Sequence, residues 1–148
     1  MNDNPLPDPR QRPDSRQILQ PEGWARPRGY ANGVAATGRV VTVAGQIGWD
    51  GDCQFTATDL AGQTRQALTN VIDVLACADA GPQHVVRMTW YLVDRADYLA
   101  RGREIGAIYR ELMRGPDGAV CYPAMTAVQV VALMEAQALV EIEVTAVV

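Results

Sequence analysis

Two carboxylates, Glu141 and Glu143, stand two residues apart near the end of the chain, in the run Val140-Glu141-Ile142-Glu143-Val144. In a strand that spacing puts both side chains on one face, about 7 Å apart. At that separation one carboxyl can donate a proton while the other accepts one. The same alternation also describes a solvated face opposite Val140, Ile142 and Val144, and composition leaves both readings open. Many other mechanisms are excluded by count. The 148 residues hold a single histidine, and all 13 basic residues are arginine. A lysine Schiff base is therefore impossible, and a serine or cysteine triad has only His84 for its base.

One histidine, with Cys53, Cys77 and Cys121 at wide spacings, gives neither a two-histidine metal site nor a CxxC zinc motif. No metal and no cofactor is expected. His84 follows Gly81-Pro82-Gln83 without an acid or thiol spaced to share a site, and reads as a surface residue. Cys121 has no basic neighbour in sequence to lower its pKa and reads as a buried structural thiol. Tyr30, Tyr109 and Tyr122 can each donate a phenol hydrogen bond, although core packing is the commoner role of such residues. Gly45-Gln46-Ile47-Gly48 lacks the strand-loop-helix context of a phosphate cradle and suggests only close backbone approach to something. Asp50 and Asp52 lack the spacing of a calcium loop and read as turn residues.

The elements that must position these groups follow from periodicity. Six of the nine prolines, Pro5, Pro7, Pro9, Pro13, Pro21 and Pro27, fall in the first 27 residues. Residues 1–15 read as a flexible proline-rich tail, and 16–148 as one domain. Arg16 to Gln20 is a candidate first strand. Ala31 to Ala36 and Arg39 to Ile47 are apolar runs that read as a hairpin across Thr37-Gly38. Asp59 to Ala80 carries Leu60, Thr64, Ala67, Val71, Val74, Leu75 and Ala78 at helical spacing, with Gln63, Gln66, Asn70 and Asp73 largely elsewhere on the wheel. Thr58 or Asp59 can cap it, and Gly81-Pro82 closes it. Val85 to Val93 reads as a strand, Asp97 to Met113 as a second amphipathic helix and Gly115-Pro116-Asp117-Gly118 as a turn. Thr126 to Leu133 and Ala138 to Val148 close the chain as strands.

The expected fold class is α+β, a single mixed six-stranded sheet with two helices on one face. The other face must be polar or covered. The strands read as apolar nearly throughout, so a second subunit is expected to cover it. The net charge of −4 and a pI near 4.9 disfavour nucleic acid as a partner. No run of about 18 apolar residues suits a membrane span, and the polar start of the chain does not resemble a signal peptide. A cytoplasmic location is expected.

Six segments, in order, resemble the reactive intermediate deaminase (Rid, YjgF-like) family. They are Gly29-Tyr30-Ala31-Asn32-Gly33-Val34, Val43-Ala44-Gly45-Gln46-Ile47, residues 63–71 (QTRQALTNV), residues 85–94 (VVRMTWYLVD), Pro123-Ala124-Met125-Thr126-Ala127-Val128, and Val140-Glu141-Ile142-Glu143-Val144. The resemblance implies a chorismate-mutase-like fold and a homotrimer with ligand clefts between subunits. It also implies hydrolysis of a reactive enamine or imine to a keto compound and ammonia. By this resemblance Glu141 positions water, Tyr30 closes the cleft and Gly45 brings its backbone to the ligand.

The family's carboxylate-gripping arginine, which directly follows Pro-Ala, is replaced here by Met125. A small polar residue two positions on, often cysteine, is Ala127, and an asparagine often found in the second helix falls at Gly106. These departures imply a divergent member whose substrate is larger than 2-aminoacrylate or differently charged, such as an aminomuconate-like enamine, with Arg28 the best placed replacement in sequence. The alternative is a non-catalytic trimer that binds a small metabolite. A ribonuclease or translation inhibitor, described for some relatives, is disfavoured by the net charge of −4.

Overall fold

The alternating run at the end of the chain becomes an interior strand, with every second residue from Val140 to Ala146 buried against the helices. A computed structural model describes residues 16–148. The proline-rich tail expected over 1–15 lies outside the described residues. In chain order the elements are β1 (Gln17–Leu19), β2 (Gly33–Ala35), β3 (Val40–Ile47), α1 (Leu60–Ala76), β4 (Val85–Leu92), α2 (Arg95–Ala100), α3 (Gly102–Leu112), β5 (Ala124–Gln129) and β6 (Val140–Val147).

The α+β class holds, but the six strands form two sheets and not one. β3, β6, β4 and β5 make a four-stranded sheet in that order, and β1 and β2 pair only with each other. β6 is antiparallel to both of its neighbours, whereas β4 and β5 are parallel and joined by the crossover through α2 and α3. The loop that leads into β2 meets the large sheet at a parallel bridge, Ala31 to Ala124, where the Ala31 N–H donates to the Pro123 carbonyl at 2.8 Å. The hairpin expected across Thr37-Gly38 does not form. Gly38 lies against the end of the chain, where a Cβ would overlap the Val148 carbonyl oxygen. Arg39 and Val148 exchange two backbone hydrogen bonds, so the chain enters β3 alongside β6.

Helix α1 starts where the Asp59 carboxylate accepts from the Gly62 N–H at 3.0 Å. It ends at Ala76, short of the Gly81-Pro82 stop, with Asp79 in a left-handed turn at φ 54°. Leu68, Val71 and Leu75 are fully buried and join Met88, Trp90, Val140 and Ile142 in the core. Gln63, assigned by its type to the polar side of the wheel, is instead buried. Its Nε2 donates to the carbonyls of Ala57 and Gln137, and its Oε1 accepts from the Leu139 N–H. The second helix is interrupted at Arg101, which leaves helical dihedrals just before Gly102 and is tied to Asp97 and Glu104. Glycine at that point lowers the cost of the break.

The sheet face away from the helices corrects the expectation of an apolar surface. Thr42, Arg87, Thr89, Glu143 and Thr145 together line a polar depression on it. The helix-facing positions carry the apolar residues, and the run of β-branched types concealed the polar alternation.

Candidate functional site

Glu141 and Glu143 both project from β6 to that polar face, since their neighbours Val140, Ile142 and Val144 are buried on the other. Their environments differ. The Tyr91 hydroxyl donates to Glu143 Oε1 at 2.9 Å. That bond, followed by desolvation, raises the Tyr91 pKa above its ordinary value. The Glu141 carboxylate makes no hydrogen bond or ion pair with any described residue, and the residue is partly buried. It sits between Ile47 of β3 and Tyr91 of β4 in register.

The β3–β6 register slips between Val43 and Gln46, and Gly45 lies within this irregularity. The Glu141 carboxylate occupies the space beside its Cα, where a Cβ would overlap Oε1. Only glycine leaves that room. The geometry thus brings together Glu141 and Gly45, two residues 96 positions apart in sequence.

The other expected site residues meet elsewhere. Arg28, Tyr30 and Met125 line one cleft of about 520 Å³, and Gly106 and Ala127 line it too. Gly29, at φ 81°, makes the turn that separates Arg28 from Tyr30, and the Ala31–Pro123 bond holds this loop beside β5. Met125 is in register with Met88 and packs against the core. The remaining walls are aromatic, from Trp90, Tyr98, Tyr109 and Tyr122. Tyr109 and Tyr122 stack with centroids 5.5 Å apart, 9° from parallel. Tyr109 is committed to structure, because its hydroxyl donates to the Cys121 carbonyl at 2.7 Å. Burial pushes its phenol well above the ordinary range, and burial does the same to Tyr98 more mildly. No Asp or Glu among the described residues lines this cleft.

Glu141 and Gly45 therefore lie apart from the cleft of Tyr30, Arg28 and Met125 within one chain. A larger cavity of about 700 Å³ lies between β1 and the turn at 116–122 and shares Tyr30 and Tyr122 with the cleft. Its Arg16 is engaged, donating to the carbonyls of Gln83 and Tyr122. Arg110 and Tyr98, which also line the cleft, were not singled out from the sequence. The signal available for Arg110 was its spacing of four residues from Gly106 on a helix.

Cys121 and Asp50 take the structural roles expected of them, whereas His84, expected at the surface, is partly buried. His84 Nδ1 accepts from the Gly81 N–H at 3.0 Å, closing a short turn before β4. Cys121 is buried, and that burial raises its thiol pKa. Asp50 Oδ1 accepts from the backbone N–H groups of Asp52 and Gln54, as a turn residue does. No group of three or more His, Cys, Asp or Glu suited to a metal occurs among the described residues. No helix among the described residues is long and apolar enough to cross a membrane.

Residues 24–148 match a family model described as endoribonuclease L-PSP. Among solved structures, a Rid-family protein of unknown function from Yersinia pestis, YyfB, is 32% identical with a TM-score of 0.76. The match covers 90% of this chain and 99% of that one. A Mycobacterium tuberculosis member of the YjgF/YER057c/UK114 family is 34% identical, with 81% and 87% coverage and a TM-score of 0.57. The YjgF product of E. coli is 26% identical, with 80% and 87% coverage and a TM-score of 0.62. No curated protein matches the chain.

Proposed function

The chain belongs to the Rid/YjgF (L-PSP) family, and from that premise we propose that it hydrolyses a reactive enamine or imine to a keto compound and ammonia. The observation that carries this reading is the Glu141 carboxylate on Gly45, unpaired among the described residues, beside a Glu143 that is already engaged by Tyr91. The enamine first tautomerises to an imine, gaining a proton at carbon and losing one from nitrogen. Water then adds across the C=N bond, Glu141 taking a proton from the water and returning it to nitrogen, which gives a neutral carbinolamine. The carbinolamine hydroxyl proton then passes to nitrogen through Glu141 as the C–N bond breaks, and ammonia leaves as the C=O forms. The substrate is electrophilic once tautomerised, so a carboxylate and fixed backbone groups suffice.

The site of this reading is shared between subunits of a homotrimer. Two observations favour it. Gly45 and Glu141 lie apart from the cleft of Arg28, Tyr30 and Met125, so a second copy is needed to join the two halves. The outer edge of β5 is exposed from Thr126 to Gln129, as an edge awaiting a partner would be. With Met125 in place of a charged clamp, the preferred substrate is larger than 2-aminoacrylate, an aminomuconate-like enamine being the type. We place the protein in the cytoplasm, where reactive enamines form.

One observation favours a second reading, a non-catalytic trimer that binds a small metabolite: Met125 removes the family's charged contact from the cleft. The endoribonuclease activity named in the family model's description is disfavoured by the net charge of −4.

Kinetics of Glu141→Gln separate these readings. Hydrolysis requires kcat for ammonia release to fall by about 10²-fold or more with KM little changed. An unchanged rate contradicts a role for Glu141, and a wild-type protein without turnover favours the binding module.

A further inference from the structure

The cleft that Met125 lines is not without cations. Arg28 and Arg110 both line it, no carboxylate of a described residue does, and neither guanidinium has an ion pair or hydrogen bond with a described residue. Arg110 is in the last turn of α3, a common place for a cation that complements the helix dipole. Its side chain does not serve the terminal carbonyls. It runs back toward the start of the helix, as helical side chains tend to, and lays its guanidinium over Gly106. A Cβ at Gly106 would stand 3.1 Å from Nη1 and 3.9 Å from Cζ. Even alanine there is tight against the guanidinium, and a larger residue would displace it.

We propose that Arg110, seated on Gly106, is the carboxylate anchor of this cleft, and that the ligand is a carboxylate with a flat unsaturated body longer than a three-carbon acid. The anchor stands on the helix wall, not on β5, so a ligand held there must cross the cleft to reach its other wall. Tyr30, Tyr98 and Tyr122 offer faces to a planar body, and Met125 an adaptable apolar contact. A volume of about 520 Å³ accommodates such a molecule. This assignment rests on reading the cleft as the substrate half-site, but it concerns binding and is testable without turnover.

The probes are trans-cinnamate, its neutral amide cinnamamide, and pyruvate as a short acid, titrated calorimetrically against the full chain. Wild type binds cinnamate more tightly than either of the others. Arg110→Gln weakens cinnamate by about ten- to hundredfold and leaves cinnamamide unchanged, while Arg110→Lys keeps part of the affinity. Gly106→Ala raises helix propensity, so weaker cinnamate binding with an equal or higher Tm shows a displaced guanidinium and not a failing fold. The proposal is overturned if cinnamate binds Arg110→Gln as it binds wild type, if cinnamamide matches cinnamate on wild type, or if wild type does not bind cinnamate at millimolar concentration. Selective cinnamate binding without ammonia release from any enamine removes the deaminase reading and leaves the anchor standing. Ammonia release with Arg110-independent binding does the reverse.

Discussion

Glu141 and Glu143 are indistinguishable in sequence, since both occupy alternate positions in one apolar strand. What separates them is Tyr91 of β4, which is hydrogen-bonded to Glu143 and leaves the Glu141 carboxylate without a partner among the described residues. A contact made across about fifty residues of chain has no local signature. Gly45 was legible as a point of close approach, but not what approaches it. Because a Cβ at that position overlaps the Glu141 carboxylate, Gly45→Ala should swing the carboxylate away and reduce kcat about as much as loss of Glu141 itself. The unfolding midpoint should shift little, because the residue is exposed. Circular dichroism melts alongside ammonia-release kinetics check this, and full activity in the alanine variant contradicts the role of the contact. The cleft departures Met125, Ala127 and Gly106 were also legible as departures, yet their convergence with Arg28 on one cavity required the fold.

At the level of elements, periodicity located both main helices and four strands of the large sheet, because burial on one face imposes period on sequence. It failed where long-range pairing decides. The apparent hairpin at Thr37-Gly38 gives way to β3–β6 pairing with the last strand of the chain. Gln63 is a second case, a polar side chain drawn inside because it satisfies three backbone groups of two loops. Gln63→Leu leaves the Leu139 N–H and two carbonyls without those partners. It should cost about 2–4 kcal/mol in urea unfolding, and a loss below about 0.5 kcal/mol would mean that water replaces them.

Helices α1 and α3 are tied by the bidentate pair of Arg65 and Glu111, at 2.8 and 2.7 Å. The hydrogen bond to Arg65 holds the Glu111 carboxyl below its ordinary range. A carboxylate with a lowered folded pKa contributes stability that is present above its unfolded value and lost as pH falls through the folded one. Glu111→Gln should therefore lower Tm modestly at neutral pH, and the difference from wild type should shrink as pH falls below about 4. A Tm difference that does not change with pH would contradict the pairing.

In the whole molecule the Glu141–Gly45 contact lies apart from the Met125 cleft and the edge of β5 is open, and under the proposed function a closed symmetric assembly unites the two as half-sites. The sequence pointed to an oligomer on the ground that the free sheet face is apolar. That ground fails, because Thr42, Arg87, Thr89, Glu143 and Thr145 make the face polar. The expectation now rests on the separation of Glu141 from the Met125 cleft and on the exposed edge of β5. Light scattering should give three times the chain mass of 16.1 kDa, and a stable monomer at micromolar concentration would leave the two half-sites unjoined. Hydrolysis of a reactive enamine is tested most directly by ammonia release in the presence of enzymatically generated enamines. Release above the buffer rate is expected, faster for a conjugated muconate-type enamine than for 2-aminoacrylate. Release no faster than buffer from either substrate contradicts it.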